Sequence, residues 1–120
     1  MLSQAKPIAI LLVSEPGIMH NTLYSILQTI PNAVVAEVNG ALSALDFLER
    51  KKVDAVIIDA NIPQSERVAL ILRIRRLFPY IRSIVLTTTE RNHSALVSVG
   101  VDTVLPQNCV RKDIEVAIFA

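Results

Sequence analysis

Apolar residues fall in short unbroken strings that recur at a regular rhythm: Ile8–Val13, Ala33–Val38, Ala55–Ile58, 84–86 and the pair Val104-Leu105. Strings of this length without in/out alternation suit strands buried on both faces. Between them lie segments with helical spacing. The first, over 17–29, carries Ile18, Leu23, Ile26, Leu27 and Ile30, with Pro16 suited to its opening turn. A second starts at Asn39-Gly40, and its Leu42, Leu45 and Leu48 repeat at i, i+3, i+6 before Arg50-Lys51-Lys52 closes it. The third begins near Ser65 and stops before Pro79. Its Val68-Ala69-Leu70-Ile71-Leu72 is apolar nearly all round, so Ala69, Leu70 and Leu72 read either as a well-buried helix or as a partner or dimer face. The fourth opens after the threonines at 87–89 and ends at Gly100, a natural residue just past a helix. Asn108 is suited to cap the fifth, over 110–119. Strand and helix alternate five times, which predicts an α/β fold: a mostly parallel sheet with helices on both faces.

Composition narrows the class. The 120 residues make one domain, 1–120, and an apolar share of 52% excludes disorder. Twelve basic against eleven acidic residues leave +1, so no electrostatic footprint for nucleic acid exists. The clusters at 50–52 and at Arg73, Arg75 and Arg76 read as solvated helix faces and helix ends. No stretch approaches the ~20 apolar residues of a membrane span, and Ile8–Val13 is too short and too β-branched for a signal-peptide core. The cytoplasm is the expected compartment. Residues 1–6 read as a loose end. Cys109 is the only cysteine, so no disulfide forms within the chain, and it reads as a small structural residue. His20 and His93 have no metal-ligand spacing and are expected at the surface of helices one and four. Gly17, Gly40 and Gly100 form no phosphate-cradling loop, so the chain offers no support for a flavin or nucleotide enzyme on this fold.

Candidate chemistry gathers where the strands end. The run Val53-Asp54-Ala55-Val56-Ile57-Ile58 closes on Asp59, and open α/β sheets place ligand chemistry at the carboxyl ends of their strands. The same edge receives Ser14 and Glu15 after the first strand, Thr87 after the fourth and Gln107 after the fifth. Magnesium typically takes one or two carboxylates plus water and phosphate oxygens, a set that Glu15 and Asp59 supply. The plainer reading is that each of these polar residues caps a helix or satisfies a loop.

Val56-Ile57-Ile58-Asp59-Ala60-Asn61-Ile62-Pro63, followed by Val85-Leu86-Thr87 and by Val99-Gly100-Val101-Asp102, resembles the receiver domain of bacterial response regulators. The resemblance is CheY-like, nearest the LuxR/NarL-type regulators, and spans most of the chain. It implies a flavodoxin-like (βα)5 three-layer sandwich with a five-stranded parallel sheet in the order 2-1-3-4-5. It also implies that Asp59 is the phosphoacceptor, attacking the phosphorus of a phosphohistidine on a sensor histidine kinase. Thr87 is then the switch hydroxyl that meets the phosphoryl oxygen, and the metal ligands are Glu15, Asp59 and the backbone carbonyl of Asn61.

The family pattern breaks at the site. Ser14 stands where receivers carry an acid, and Glu15, at the position of the direct magnesium ligand, is one methylene too long for near-ideal octahedral geometry. Gln107 stands at the usual lysine position, so the cation that neutralises charge during transfer is missing. Val104 replaces the aromatic switch residue, and Arg67 occupies a position that is often glycine. The resemblance therefore implies a degenerate site with weak or absent magnesium binding. It leaves two readings. One is a pseudo-receiver acting through protein–protein contacts; the other is a working phosphoacceptor controlling a transcriptional output domain. Partners implied are a sensor histidine kinase or another signalling protein, with a homodimer also allowed, no direct nucleic-acid binding by this domain and no membrane. The short fifth helix suggests the N-terminal part of a longer regulator, with an output domain such as a helix-turn-helix downstream.

Overall fold

The computed structural model describes residues 6–88 and 93–119, apart from the side chains of Met19 and of 93–95. Five strands and five helices alternate: β1 (Ile8–Val13), α1 (Ile18–Gln28), β2 (Ala33–Val38), α2 (Ala41–Arg50), β3 (Ala55–Ile58), α3 (Gln64–Leu77), β4 (Arg82–Thr87), α4 (His93–Ser98), β5 (Thr103–Pro106) and α5 (Arg111–Phe119). The strands form one sheet in the order β2-β1-β3-β4-β5, and each pair is parallel. This is the flavodoxin-like sandwich that the alternation and the resemblance predict.

The unbroken apolar strings have a direct cause. Alternate residues of a strand point to opposite faces, and here both faces are covered. Leu11, Val13, Val56, Ile58 and Val85 pack with Ala44, Leu48, Ile71, Ile74 and Leu96 on the side of α2, α3 and α4. Ile10, Leu12, Ala55, Ile57, Ile84 and Leu86 pack with Leu23, Leu27, Ile114 and Ala117 on the side of α1 and α5. The edge strand β2 is only half covered, leaving Val34 and Glu37 exposed.

Several expectations about faces need correction. Leu42 is 84% exposed, and the sheet-facing stripe of α2 is Ala44 and Leu48 at i, i+4 instead. Ile18, the first residue of α1, also faces outward. In α3, Leu70 belongs to the core while Ala69 is exposed and Leu72 half-exposed, so the apolar outer patch on this helix is smaller than the sequence implies. His20 is buried rather than superficial: its Nε2 lies 3.2 Å from Glu37 Oε1 on β2, and its ring stacks on Tyr24. The side chain of His93 and the threonine at 89 lie outside the described residues.

Helix ends follow local chemistry. Gly100 has φ +91°, the left-handed conformation that ends a helix most easily without a Cβ. Its N–H donates to the Val97 carbonyl, as expected for the residue just past α4. Asn108 does not cap α5. The helix starts at Arg111, and the preceding Val110 N–H donates to the Asp113 carboxylate at 3.2 Å, the reciprocal half of a capping box.

Candidate functional site

Register brings the chemistry to one edge. Val13 pairs with Ile58, Val85 with Ile58, and Thr87 with Pro106, so the residues that follow β1, β3 and β5 emerge side by side with Thr87 at the end of β4. The Asp59 N–H donates to the Val13 carbonyl at 2.9 Å and the Gln107 N–H to the Thr87 carbonyl at 2.8 Å, extending the ladders past the strands. Ser14, Asp59, Thr87 and Gln107 therefore converge as the sequence predicts. Glu15 reaches the same edge but is exposed.

Asp59 is 1% exposed, and donors already hold both of its carboxylate oxygens. The Ser14 hydroxyl, itself fully buried, donates to Oδ2 at 2.8 Å. The Ala60 N–H donates to Oδ1 at 2.7 Å, and Gln107 Nε2 approaches the same oxygen at 3.4 Å. The first two are short bonds to a charged acceptor; at 3.4 Å the Gln107 contact is a weak one. All three donors are neutral. Ser14 thus replaces a carboxylate with a hydroxyl that binds one, which removes the like-charge repulsion an acid there would create.

Asn61 plays a part that the sequence did not reveal. Its side-chain Oδ1 accepts the Glu15 N–H at 3.1 Å, while Nδ2 donates to the Glu15 carbonyl at 3.0 Å and to Ser14 Oγ at 3.2 Å. The amide ties the loop after β1 to the loop after β3. An amide residue two positions past an acid at a strand end was the available signal.

Arg67 is the second surprise. It sits in the first turns of α3, only 4% exposed, and its Nη1 donates to the Leu86 carbonyl at 2.9 Å. Its Nε is buried without a hydrogen-bond partner. Burial pushes the guanidinium below its ordinary pKa, and the negative charge of Asp59 opposes that shift. The two charges therefore sense each other across the site. Sequence reasoning noticed Arg67 as a departure from glycine but had no means of placing the side chain inside.

Thr87 is 7% exposed at the end of β4, and Val104 is half-buried on the α2–α4 side of the sheet. A pocket lined by Asp59, Leu86, Gln107, Cys109, Leu23 and Ile26 opens on the opposite side, beside α1 and α5. Burial pushes the Cys109 thiol above its ordinary pKa, with the nearby Asp113 charge adding to the shift. That is the environment of a protonated, unreactive thiol. Two other carboxylates serve the opposite end of the sheet: Asp54 accepts the Ala9 N–H and Asp102 accepts the Ser83 N–H, each at 2.8 Å.

Among the described residues, no group of three or more His, Cys, Asp or Glu side chains is placed to hold a metal ion. Among the described residues, no helix is long and apolar enough to cross a membrane.

Comparisons with known proteins agree with this architecture. A signal receiver domain of an HD domain-containing protein from Pseudomonas fluorescens Pf-5 superposes with a TM-score of 0.81 at 24% identity, over 95% of this chain and 93% of that one. The RcsB response regulator of Salmonella typhimurium gives 0.81 at 20% identity, over 97% of this chain but only 60% of its own. A CheY-like receiver domain protein from Methanospirillum hungatei JF-1 gives 0.81 at 19% identity, over 95% and 92%. At these identities the likeness speaks for the fold. No curated protein sequence matches. The family model for the response regulator receiver domain matches residues 10–119, and with the strand-end constellation in place the chain belongs to that family.

Proposed function

We propose that this receiver domain is a pseudo-receiver: a two-component signalling module that works through protein–protein contacts, with phosphorylation of Asp59 impaired. The observation that carries this reading is the bonding of Asp59. Its carboxylate accepts from Ser14, Ala60 and, weakly, Gln107, all neutral groups. Phosphoryl transfer is driven by positioning and by charge stabilisation. At this site Gln107 occupies the lysine position and Ser14 the position of an acid, so two charged groups that would serve transfer are replaced by neutral hydrogen bonds.

The donor set also fits magnesium poorly. Of the two carboxylates, Asp59 is buried with both oxygens engaged and Glu15 is exposed. Asn61 is held by its side chain against the Glu15 backbone, and a buried guanidinium lies near Asp59. Magnesium binding through Glu15, Asp59 and the Asn61 carbonyl is accordingly weak or absent in this proposal.

In this reading Asp59 keeps the phosphoacceptor position and Thr87 the switch position, while Gln107 touches the carboxylate only weakly and supplies no charge to neutralise a phosphoryl group. The domain has no catalytic activity of its own, resides in the cytoplasm and docks a histidine kinase or another signalling protein. Residues 10–119, which the receiver family model matches, act as a single receiver domain. RcsB from Salmonella enterica serovar Typhimurium, of which this chain covers 66%, is bound to promoter DNA in the presence of phosphomimetic BeF3-. A DNA-binding output in the present case would lie beyond the receiver fold. The retention of Asp59 and Thr87 at adjacent strand ends favours the second reading, a slow phosphoacceptor.

Beryllofluoride separates the two. With magnesium and beryllofluoride added, the amide spectrum of the 15N-labelled domain is expected to stay unchanged. Shifts at Ala60, Thr87 and Gln107 would support the phosphoacceptor.

A further inference from the structure

We propose that Arg67 is the resident cation of the Asp59 site, taking the electrostatic place of a divalent metal and keeping metal ions out. This rests on the pseudo-receiver reading and names the residue that enforces it. Three observations point to Arg67. It is nearly fully buried beside the site without a direct ion pair among the described residues, whereas Arg50, Arg75 and Arg111, which pair with carboxylates, keep substantial exposure. Its Nη1 is anchored to the carbonyl of Leu86, the residue before Thr87, which fixes the charge at the carboxyl end of β4. Its Nε points to no protein acceptor, so the guanidinium is placed by something other than a full set of hydrogen bonds.

The physical case follows from the cost of burial. An ionised side chain removed from water needs an opposite charge nearby. Arginine cannot shed its proton in a protein, so Arg67 must be compensated in place. Asp59, fully buried and one helical entry away through the turn closed by Ile62 N–H on the Asp59 carbonyl, is the carboxylate that its charge senses. The hydrogen bonds to Asp59 come from Ser14, Ala60 and Gln107 and that of Arg67 goes to Leu86, so the two charges compensate each other through space and not by a direct bond. A divalent cation at Asp59 would then stand close to a fixed positive charge in a medium where repulsion is poorly screened. Ser14 reinforces the exclusion by removing one carboxylate that would offset Arg67. The site is thus balanced at one negative and one positive charge, with Glu15 outside in solvent.

Manganese binding, followed by the paramagnetic broadening of the Ala60 and Asn61 amides, tests the proposal. Wild type is expected to bind weakly, Arg67→Gln at least about tenfold more tightly, and Arg67→Lys as weakly as wild type. Arg73→Gln, an exposed change of equal charge on the same helix, controls for net charge and is expected to behave as wild type. Weak binding by both wild type and a folded Arg67→Gln overturns the role of Arg67 and leaves the pseudo-receiver reading standing. Tight binding by wild type overturns both.

Should Arg67→Gln fail to fold, Asp59→Asn in the protein that retains Arg67 decides. Loss of the partner charge is expected to lower the melting temperature by roughly 5 °C or more, because a buried guanidinium is left uncompensated. An unchanged or higher melting temperature shows that Asp59 is not the counter-charge.

Discussion

Ser14→Asp combined with Gln107→Lys is expected to raise the rate of phosphoryl-adduct formation from a small phosphodonor in magnesium by on the order of 10²–10³-fold. Each change addresses one missing charge. Aspartate at 14 would sit fully buried beside Asp59, where the serine hydroxyl now donates at 2.8 Å. Two adjacent carboxylates repel, and a divalent cation relieves that repulsion, so the added acid creates demand for the metal and offsets the Arg67 charge. Lysine at 107 replaces a 3.4 Å amide contact with an ammonium placed where negative charge grows during transfer. The two act as a unit, so either change alone is expected to recover much less than the pair.

A second readout separates binding from chemistry. Magnesium should raise the melting temperature of the double variant and leave wild type nearly unaffected, since only a ligand bound by the folded state stabilises it. A double variant that is folded, stabilised by magnesium and still inert would mean that the defect lies elsewhere than in these two charges.

The largest effect on stability is expected from Ile57→Ala. Ile57 is fully buried on β3 and packs on the α1–α5 side with Leu12, Leu27 and Ile114. Truncating such a residue loses the transfer energy of the removed carbons and leaves a cavity, together about 2–5 kcal/mol. Against a total of about 5–15 kcal/mol for a domain of this kind, that is a large share. Urea denaturation is expected to show a much lower midpoint with an unchanged slope. Val34→Ala, on the exposed face of edge strand β2, is expected to change stability by less than about 0.5 kcal/mol. Equal losses at the two positions would contradict the packing described for the sheet.

The sheet was legible in the chain because burial on both faces writes an uninterrupted apolar code. Ile10, Leu11, Leu12 and Val13 could not be read as an amphipathic strand, and they are not one. Helix faces were harder. In α2 the three leucines at i, i+3, i+6 drew attention to Leu42, whereas the sheet accepts the small Ala44 and then Leu48. Large side chains mark a face by eye; close approach to a sheet selects a small one.

The site was legible in its strand-end residues, because the topology sends every strand's carboxyl end to one edge. Its electrostatics were not. Nothing in the local sequence distinguishes a buried arginine from a solvated one, and charged residues are seldom buried. The inward turn of Arg67 depends on the Leu86 carbonyl, nineteen residues away. His20 illustrates the same point, being buried against Glu37 of a neighbouring strand.

The most direct measurement is intact mass after incubation of the folded domain with acetyl phosphate, first in magnesium and then in manganese, with Asp59→Asn alongside. The account predicts no phosphoryl adduct in either metal, for wild type as for the variant. A labile adduct on wild type that is absent from Asp59→Asn would contradict it and make this chain a working receiver.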